Sequence, residues 1–211
     1  MDYGADVNAA SASGQTALHQ AARFERLHSI EFLLQHGADI NAQDENGDTP
    51  LFYASLRKDL FELLVQNGAD LNHQNHEGFT ILHALLKNDF FSPQKADILA
   101  LLIKAGADVN KPDKQDQTPL FYAVRRNQED CLKILLEAGA NPNYLDKYGR
   151  SPLWSACYHA NPQAVRMLLE HGADPALKNN SGQTPFETAP ISSEAKEAIN
   201  KAIPPEIFQL K

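Results

Sequence analysis

Gly37-Ala38-Asp39-Ile40-Asn41-Ala42-Gln43-Asp44-Glu45-Asn46-Gly47-Asp48-Thr49-Pro50-Leu51-Phe52 joins two short signatures that return in alternation along the chain. The first, Gly-Ala-Asp-aliphatic-Asn, recurs from Gly4, Gly68, Gly106, Gly139 and Gly172 with small variations. The second, built on Thr-Pro-Leu, recurs from Gly14, Gly78, Asp116, Gly149 and Gly182. Both series step by 33, 31, 38, 33 and 33 residues. Self-similarity at this period marks a stacked-repeat architecture, in which each unit buries its apolar face only against its neighbours.

The recurring positions have a common chemistry. Thr or Ser before Pro predicts an N-cap hydroxyl and a helix whose first residue needs no N–H, as at Thr118-Pro119 and Ser151-Pro152. Leu18, Ala21 and Ala22, or Leu120 and Ala123, give this first helix a short apolar face with small residues. A second helix carries Ile30, Leu33 and Leu34, or Ile134 and Leu135, at helical spacing, and the Gly of Gly-Ala-Asp stops it. The Asp-x-Asn and Asp-x-x-Gly stretches between units have turn chemistry.

With six copies in register, the chain resembles the ankyrin repeat family over essentially its whole length. The resemblance implies an all-α solenoid of stacked helix-turn-helix units with β-hairpin fingers, the fingers and first helices lining a concave face. One domain over 1–211 is expected: a tail of an earlier repeat (1–5), then repeats at approximately 6–38, 39–69, 70–107, 108–140, 141–173 and 174–211, the last a C-terminal cap. Because Met1 to Asp6 begins inside a repeat tail, an excised fragment is expected, a start codon that fell there being the alternative. The second repeat is two residues short near Leu56 to Asp59. The third is five long through Asn88 to Pro93, where Phe90 and Phe91 are read as covering a lengthened helix end or as an accessory docking spot. Pro190 and Pro204-Pro205 bound the expected cap.

Composition excludes several function classes. Twenty-seven acids against nineteen bases give a net charge of −8, which opposes general attraction to nucleic acid or anionic lipid. The acidity is uneven: residues 1–70 hold eleven acids and four bases, residues 111–150 six acids and seven bases. No apolar run reaches the roughly 18 to 20 residues of a membrane span, and no export signal is visible. With two cysteines too few for a disulfide framework, an intracellular protein, cytoplasmic or nuclear, is expected, or a host-cytosolic one if it is a bacterial effector.

Catalytic chemistry finds no support in the residues. Cys157 and His159, two apart on a helix, point about 200° apart, and position 157 matches the family's buried alanine. Asp39, Asp70, Asp108 and Asp174 belong to different repeats, whose helices pack about 8–10 Å apart, too far for a retaining acid pair at roughly 5 Å. Asp44-Glu45-Asn46-Gly47-Asp48 lacks the closing glutamate and glycine placement of a calcium loop. The histidines show no zinc spacing, and His19 and His83, in the family's Thr-Pro-Leu-His slot, are expected to bond nearby backbone. A helix-turn-helix reading lacks a basic helix, and Asn179-Asn180-Ser181, a glycosylation pattern, is read as chance. No catalytic, cofactor-binding or metal residue is assigned, and the chain is read as no enzyme.

Function then lies at the variable positions: finger tips, the residues before Thr-Pro, and the ends of first helices. Aromatics and arginine, the types enriched at binding hot spots, gather in repeats four and five. The candidate protein-binding residues are Tyr53, Phe79, Lys114, Tyr122, Arg125, Arg126, Tyr148, Arg150, Trp154, Tyr158 and His159. Tyr53, Tyr122 and Trp154 are also read as rings packed between repeats. The basic charges here suit a partner protein or peptide with an acidic surface, bound by a monomer without nucleic acid or membrane insertion. The alternative reading is the substrate- or host-targeting region of a larger enzyme, ubiquitin-ligase adaptor or bacterial effector. A structural spacer, without such a cluster, is the third. At family level, Asn41, Asn72 and Asn110 sit where an asparaginyl hydroxylase acts.

Overall fold

A computed structural model describes residues 4–54, 57–87 and 94–188. The expected insertion at Asn88 to Pro93, with Phe90 and Phe91, and the cap from Pro190 onward lie outside the described residues. Contacts among the described residues group into two compact units, residues 4–85 with 94–108, and residues 86–87 with 109–188.

In the first unit, α1 (Ala17–Arg23) and α2 (Leu27–Gln35) form one helix pair, and a 3-10 turn at Pro50–Tyr53 packs on α1 before α3 (Lys58–Gln66). Then come α4 (Ile81–Lys87), whose last residues group with the second unit, and α5 (Gln94–Lys104), which packs on α3. The second unit repeats the pairing in α6 (Pro119–Arg125) with α7 (Glu129–Glu137), and α8 (Pro152–Tyr158) with α9 (Pro162–Glu170). There α8 packs on α6 and α9 on α7, and a 3-10 turn at Pro185–Thr188 covers α8. Helices α6, α8 and α9 each start on a proline. In the second repeat the first helix is only the 3-10 turn, after which Ala54 is extended (φ −62°, ψ 117°).

The cores follow the apolar positions of the repeat. Leu18, Ile30, Leu60, Leu64, Ile98 and Leu102 are fully buried in the first unit; Leu120, Leu135, Leu153, Val165 and Leu168 are fully buried in the second. Each such side chain contributes about 1.5–3 kcal/mol by leaving water. Cys131 and Cys157 are buried and free, Cys157 with its thiol pushed up to about 12 by burial. A thiol so protonated is no nucleophile at neutral pH.

Two expectations are refined. The fingers are tight turns, with no strand among the described residues. Each closes on a pair of backbone bonds, as from Asp44 N–H to Asp48 O (3.0 Å) with Gly47 N–H to Asp44 O (2.9 Å), and from Asp146 N–H to Arg150 O (2.9 Å) with Gly149 N–H to Asp146 O (2.8 Å). The expected hydroxyl cap forms at Ser151, whose Oγ accepts the Trp154 N–H at 3.2 Å. Thr16 and Thr80 instead meet the His19 and His83 rings, Oγ1 to Nδ1 at 2.9 Å in both repeats. Where Phe52 and Phe121 replace that histidine, the hydroxyl oxygens of Thr49 and Thr118 are buried without a hydrogen-bond partner. His19 Nε2 faces the Asp48 carbonyl oxygen at 3.1 Å, so that nitrogen carries the proton and Nδ1 accepts the Thr16 N–H at 3.1 Å.

Asparagines tie each repeat to the next. Asn8 Nδ2 donates to Gly37 O (3.1 Å) while Asn8 Oδ1 accepts the Asp39 N–H (2.8 Å). Asn41 and Asn72 make the same pair of bonds onward in the first unit, as do Asn110 and Asn143 in the second. Asp39, Asp70 and Asp174 accept the N–H two residues on, which is the finger-turn bonding expected of the aspartate row.

Candidate protein-binding face

The fingers of repeats four and five are each organised by a buried aspartate. Asp146 Oδ1 accepts the N–H groups of Tyr148 and Arg150, both at 2.9 Å, as Asp113 Oδ1 accepts those of Gln115 (2.7 Å) and Gln117 (3.0 Å). This Asx turn exposes the residue at its tip, Tyr148 or Lys114 with Gln115, and aims the following residue back toward the first helix. Asp146 Oδ2 then takes Nε and Nη2 of Arg150 at 2.9 and 2.7 Å, and Gln117 Nε2 at 3.3 Å. Burial alone would raise the Asp146 pKa; the Arg150 guanidinium and the backbone N–H groups outweigh it and hold the carboxyl below its ordinary value.

Held at both nitrogens, the Arg150 guanidinium lies between two rings, 4.5 Å from the Tyr148 centroid and 5.0 Å from that of Trp154. Trp154 in turn stacks on Tyr158, centroids 5.0 Å apart and planes 12° from parallel. Tyr148, Arg150, Trp154 and Tyr158 therefore form one stacked column from the finger tip to the end of α8. His159 stands edge-on to Tyr158 at 5.2 Å, and the Lys147 ammonium lies 5.2 Å from the Tyr148 centroid. The tyrosines are half exposed, Tyr148 at 51% and Tyr158 at 55%, two of the few large apolar side chains left in water. Their order is fixed before any partner arrives, so docking freezes little side-chain freedom.

The other candidates divide. Tyr122 is 4% exposed, and its hydroxyl donates to Asp113 Oδ2 at 2.7 Å, which with burial raises its pKa. Its ring carries the exposed Arg125, guanidinium carbon 4.7 Å from the centroid. Arg126 and Lys114 are exposed. In the first unit, Tyr53 is half-buried, donating to Asp44 Oδ2 at 2.5 Å and accepting from Gln15 Nε2 at 2.7 Å, and Phe79 lies against His83 at 5.8 Å. Burial and the Asp44 carboxylate push the Tyr53 hydroxyl up to about 12. The structure thus gathers Tyr148, Arg150, Trp154, Tyr158 and His159 into one cluster and commits Tyr53 and Tyr122 to finger aspartates. The sequence marks Asp44 and Asp146 as turn residues of Asp-x-x-Gly stretches, but not that they and Asp113 grip the side chains of Tyr53, Arg150 and Tyr122. The signal for the aspartates is an Asp or Asn three residues before the finger glycine, or its Asp116 equivalent, in every repeat but the first, where Ser11 stands.

Among the described residues, no group of three or more His, Cys, Asp or Glu is placed to hold a metal ion, and no helix is long and apolar enough to cross a membrane.

A family model described as ankyrin repeats (3 copies) matches residues 1–75, 56–146, 90–179 and 139–200. No curated protein matches the chain. Among solved structures, the ankyrin repeat domain of human ASB11 is similar at a TM-score of 0.81 and 25% identity, covering 96% of this chain and 89% of its own. The ankyrin repeat domain of Bcl-3, described as a unique member of the IkappaB protein family, is similar at a TM-score of 0.81 and 29% identity, covering 93% and 87%.

Proposed function

Because this chain belongs to the ankyrin repeat family, whose domains are generally protein-protein interaction modules, we propose that it is a non-enzymatic module that recognises a partner protein or peptide through the fingers and first helices of repeats four and five, the face that is concave in this family. The observation that carries the reading is the stacked column of Tyr148, Arg150, Trp154 and Tyr158, rigid and half exposed where a buried core has no use for it. Rings in water cost free energy that a partner recovers by covering them. With Lys114, Arg125, Arg126 and Lys147 around it, the column favours an acidic partner surface. The protein acts as a monomer inside the cell and needs no cofactor. A contact of standard size, about 1,600 Å² in total, spans more than one repeat, which fits a site shared by two.

The test is affinity capture from lysate with mass-spectrometric identification, comparing the chain with a Tyr148→Ala, Tyr158→Ala variant whose folding is checked by circular dichroism. A partner enriched by the chain and lost with the variant is the expected result. A variant that retains every enriched partner removes repeats four and five as the site.

A further inference from the structure

Next to the column, the turns joining α6 to α7 and α8 to α9 enclose an open cavity of about 340 Å³, walled by Val124, Arg125, Asn127, Glu129, His159 and Asn161 among others. Its base is fixed. Asn127 and Ala160 both adopt left-handed backbone, φ 52° and 53°, which turns the chain sharply after each first helix, and Asn161 Nδ2 donates to Asn127 Oδ1 at 2.7 Å. Such a conformation is routine for Asn and costly for Ala, so the turn beside His159 is held by its surroundings.

Elsewhere in the chain, basic side chains have acidic partners. Lys58, Lys133 and Arg166 each have a glutamate four residues on, and Arg150 has Asp146. Among the described residues Arg125 has no carboxylate partner: its guanidinium rests on Tyr122, and Nη1 makes a long 3.5 Å bond to Gln117 Oε1. His159 is exposed, yet crowding of its ring, and then the charges of Arg125 and Arg150, hold its pKa below the usual histidine value. The imidazole is therefore neutral at pH 7, with one N–H to donate. Glu129, exposed on the cavity wall, is the only acid among the lining residues. One unpaired cation, one neutral ring and one nearby carboxylate match a monoanion better than a dianionic phosphate.

We propose that this cavity receives one carboxylate side chain of an extended acidic peptide docked across repeats four and five, with Arg125 supplying forked donors, His159 a single ring N–H, and Tyr158 a face for the neighbouring apolar side chain. The inference rests on the proposed function and names the class of partner for that site. Arg125 is suited to the task because a planar fork matches a carboxylate in two hydrogen bonds, and its rest on a ring leaves the edge open.

The experiment titrates the full chain, labelled with nitrogen-15, with acetyl-Glu-Tyr-amide, acetyl-Gln-Tyr-amide and inorganic phosphate, following the Arg125 Nε–Hε and His159 ring resonances. The glutamate probe should give saturable shifts at both residues, with binding about tenfold weaker for the glutamine probe and no tighter for phosphate. Arg125→Gln should abolish those shifts, and Glu129→Gln should strengthen binding about twofold by removing a nearby negative charge. Equal binding of the two peptides overturns the proposal, as do shifts spread equally over Arg23 and Arg26, or an Arg125→Gln chain that titrates unchanged. The two readings fail separately. A captured partner lost with Tyr148→Ala, Tyr158→Ala but retained by Arg125→Gln leaves the binding face standing without the carboxylate receptor. Glutamate binding at Arg125 with no partner lost from either variant does the reverse.

Discussion

Thr80 and Thr118 occupy the same place in their repeats and meet different fates. The Thr80 hydroxyl has the His83 ring at 2.9 Å, while that of Thr118 is buried without a partner because Phe121 stands where the histidine would be. Replacing Thr80 by Val should cost about 1–2 kcal/mol in a urea melt, since the bond is lost inside the core. Thr118→Val removes an orphaned polar group at constant shape and should be neutral or stabilising. Equal losses for the two would contradict the assignment. Asp146 gives a pH prediction. Its pKa is lowered on folding, so its stabilising contribution is present above the unfolded value of 3.8 and is lost as pH falls through the folded one. Asp146→Asn should therefore be less stable than the parent at pH 7, and the gap should narrow at pH 3, as read from melts at both. The sequence displayed both the histidine-to-phenylalanine exchange and the recurring aspartate. A spacing identifies which slot recurs but not which donor lies opposite it, so the orphaned hydroxyls and the finger network became legible only with coordinates.

Among the elements, the starts of α6 and α8 were the most readable, because Thr or Ser before a proline at the first helical position leaves little choice. Less readable was the second repeat, where a chain two residues short holds only a 3-10 turn in place of the first helix. The column at Tyr148 to Tyr158 was legible as a gathering of residue types, though not as a stack, because stacking depends on Asp146 gripping Arg150. Turn glycines separate two costs. Gly172 (φ 85°) has open space where a Cβ would stand, whereas at Gly149 (φ 71°) a Cβ would run into Asn180, its Oδ1 and, at 2.9 Å, its backbone N. Gly172→Ala should thus lose only the left-handed penalty, about 1–2 kcal/mol. Gly149→Ala should lose more, because the link from Asn180 N–H to Tyr148 O (3.0 Å) has to shift as well. Thermal denaturation of the two variants ranks them directly.

For the molecule as a whole, the period and the family were readable at once, while the grouping of the described residues into two compact units was not, since every repeat advertises the same interface to its neighbours. Charge also changes along the sequence: acids dominate residues 1–70 and bases slightly outnumber them over 111–150. Capture of an acidic partner should accordingly weaken as salt rises from about 0.1 to 1 M, where the screening length falls from roughly 10 to 3 Å, and retention unchanged at high salt would point to the aromatic column alone. The asparagine ties carry a different consequence. Asn8 meets Asp39 across 31 positions of sequence and Asn72 meets Asp108 across 36, yet both bonds close at 2.8 Å. Such a gauge measures one repeat against the next at the loop edge and is blind to how much chain runs between its jaws. Lineages of this protein are therefore free to lengthen or trim the far turns of their repeats, acquiring new surface there while the spacing of the fingers stays constant.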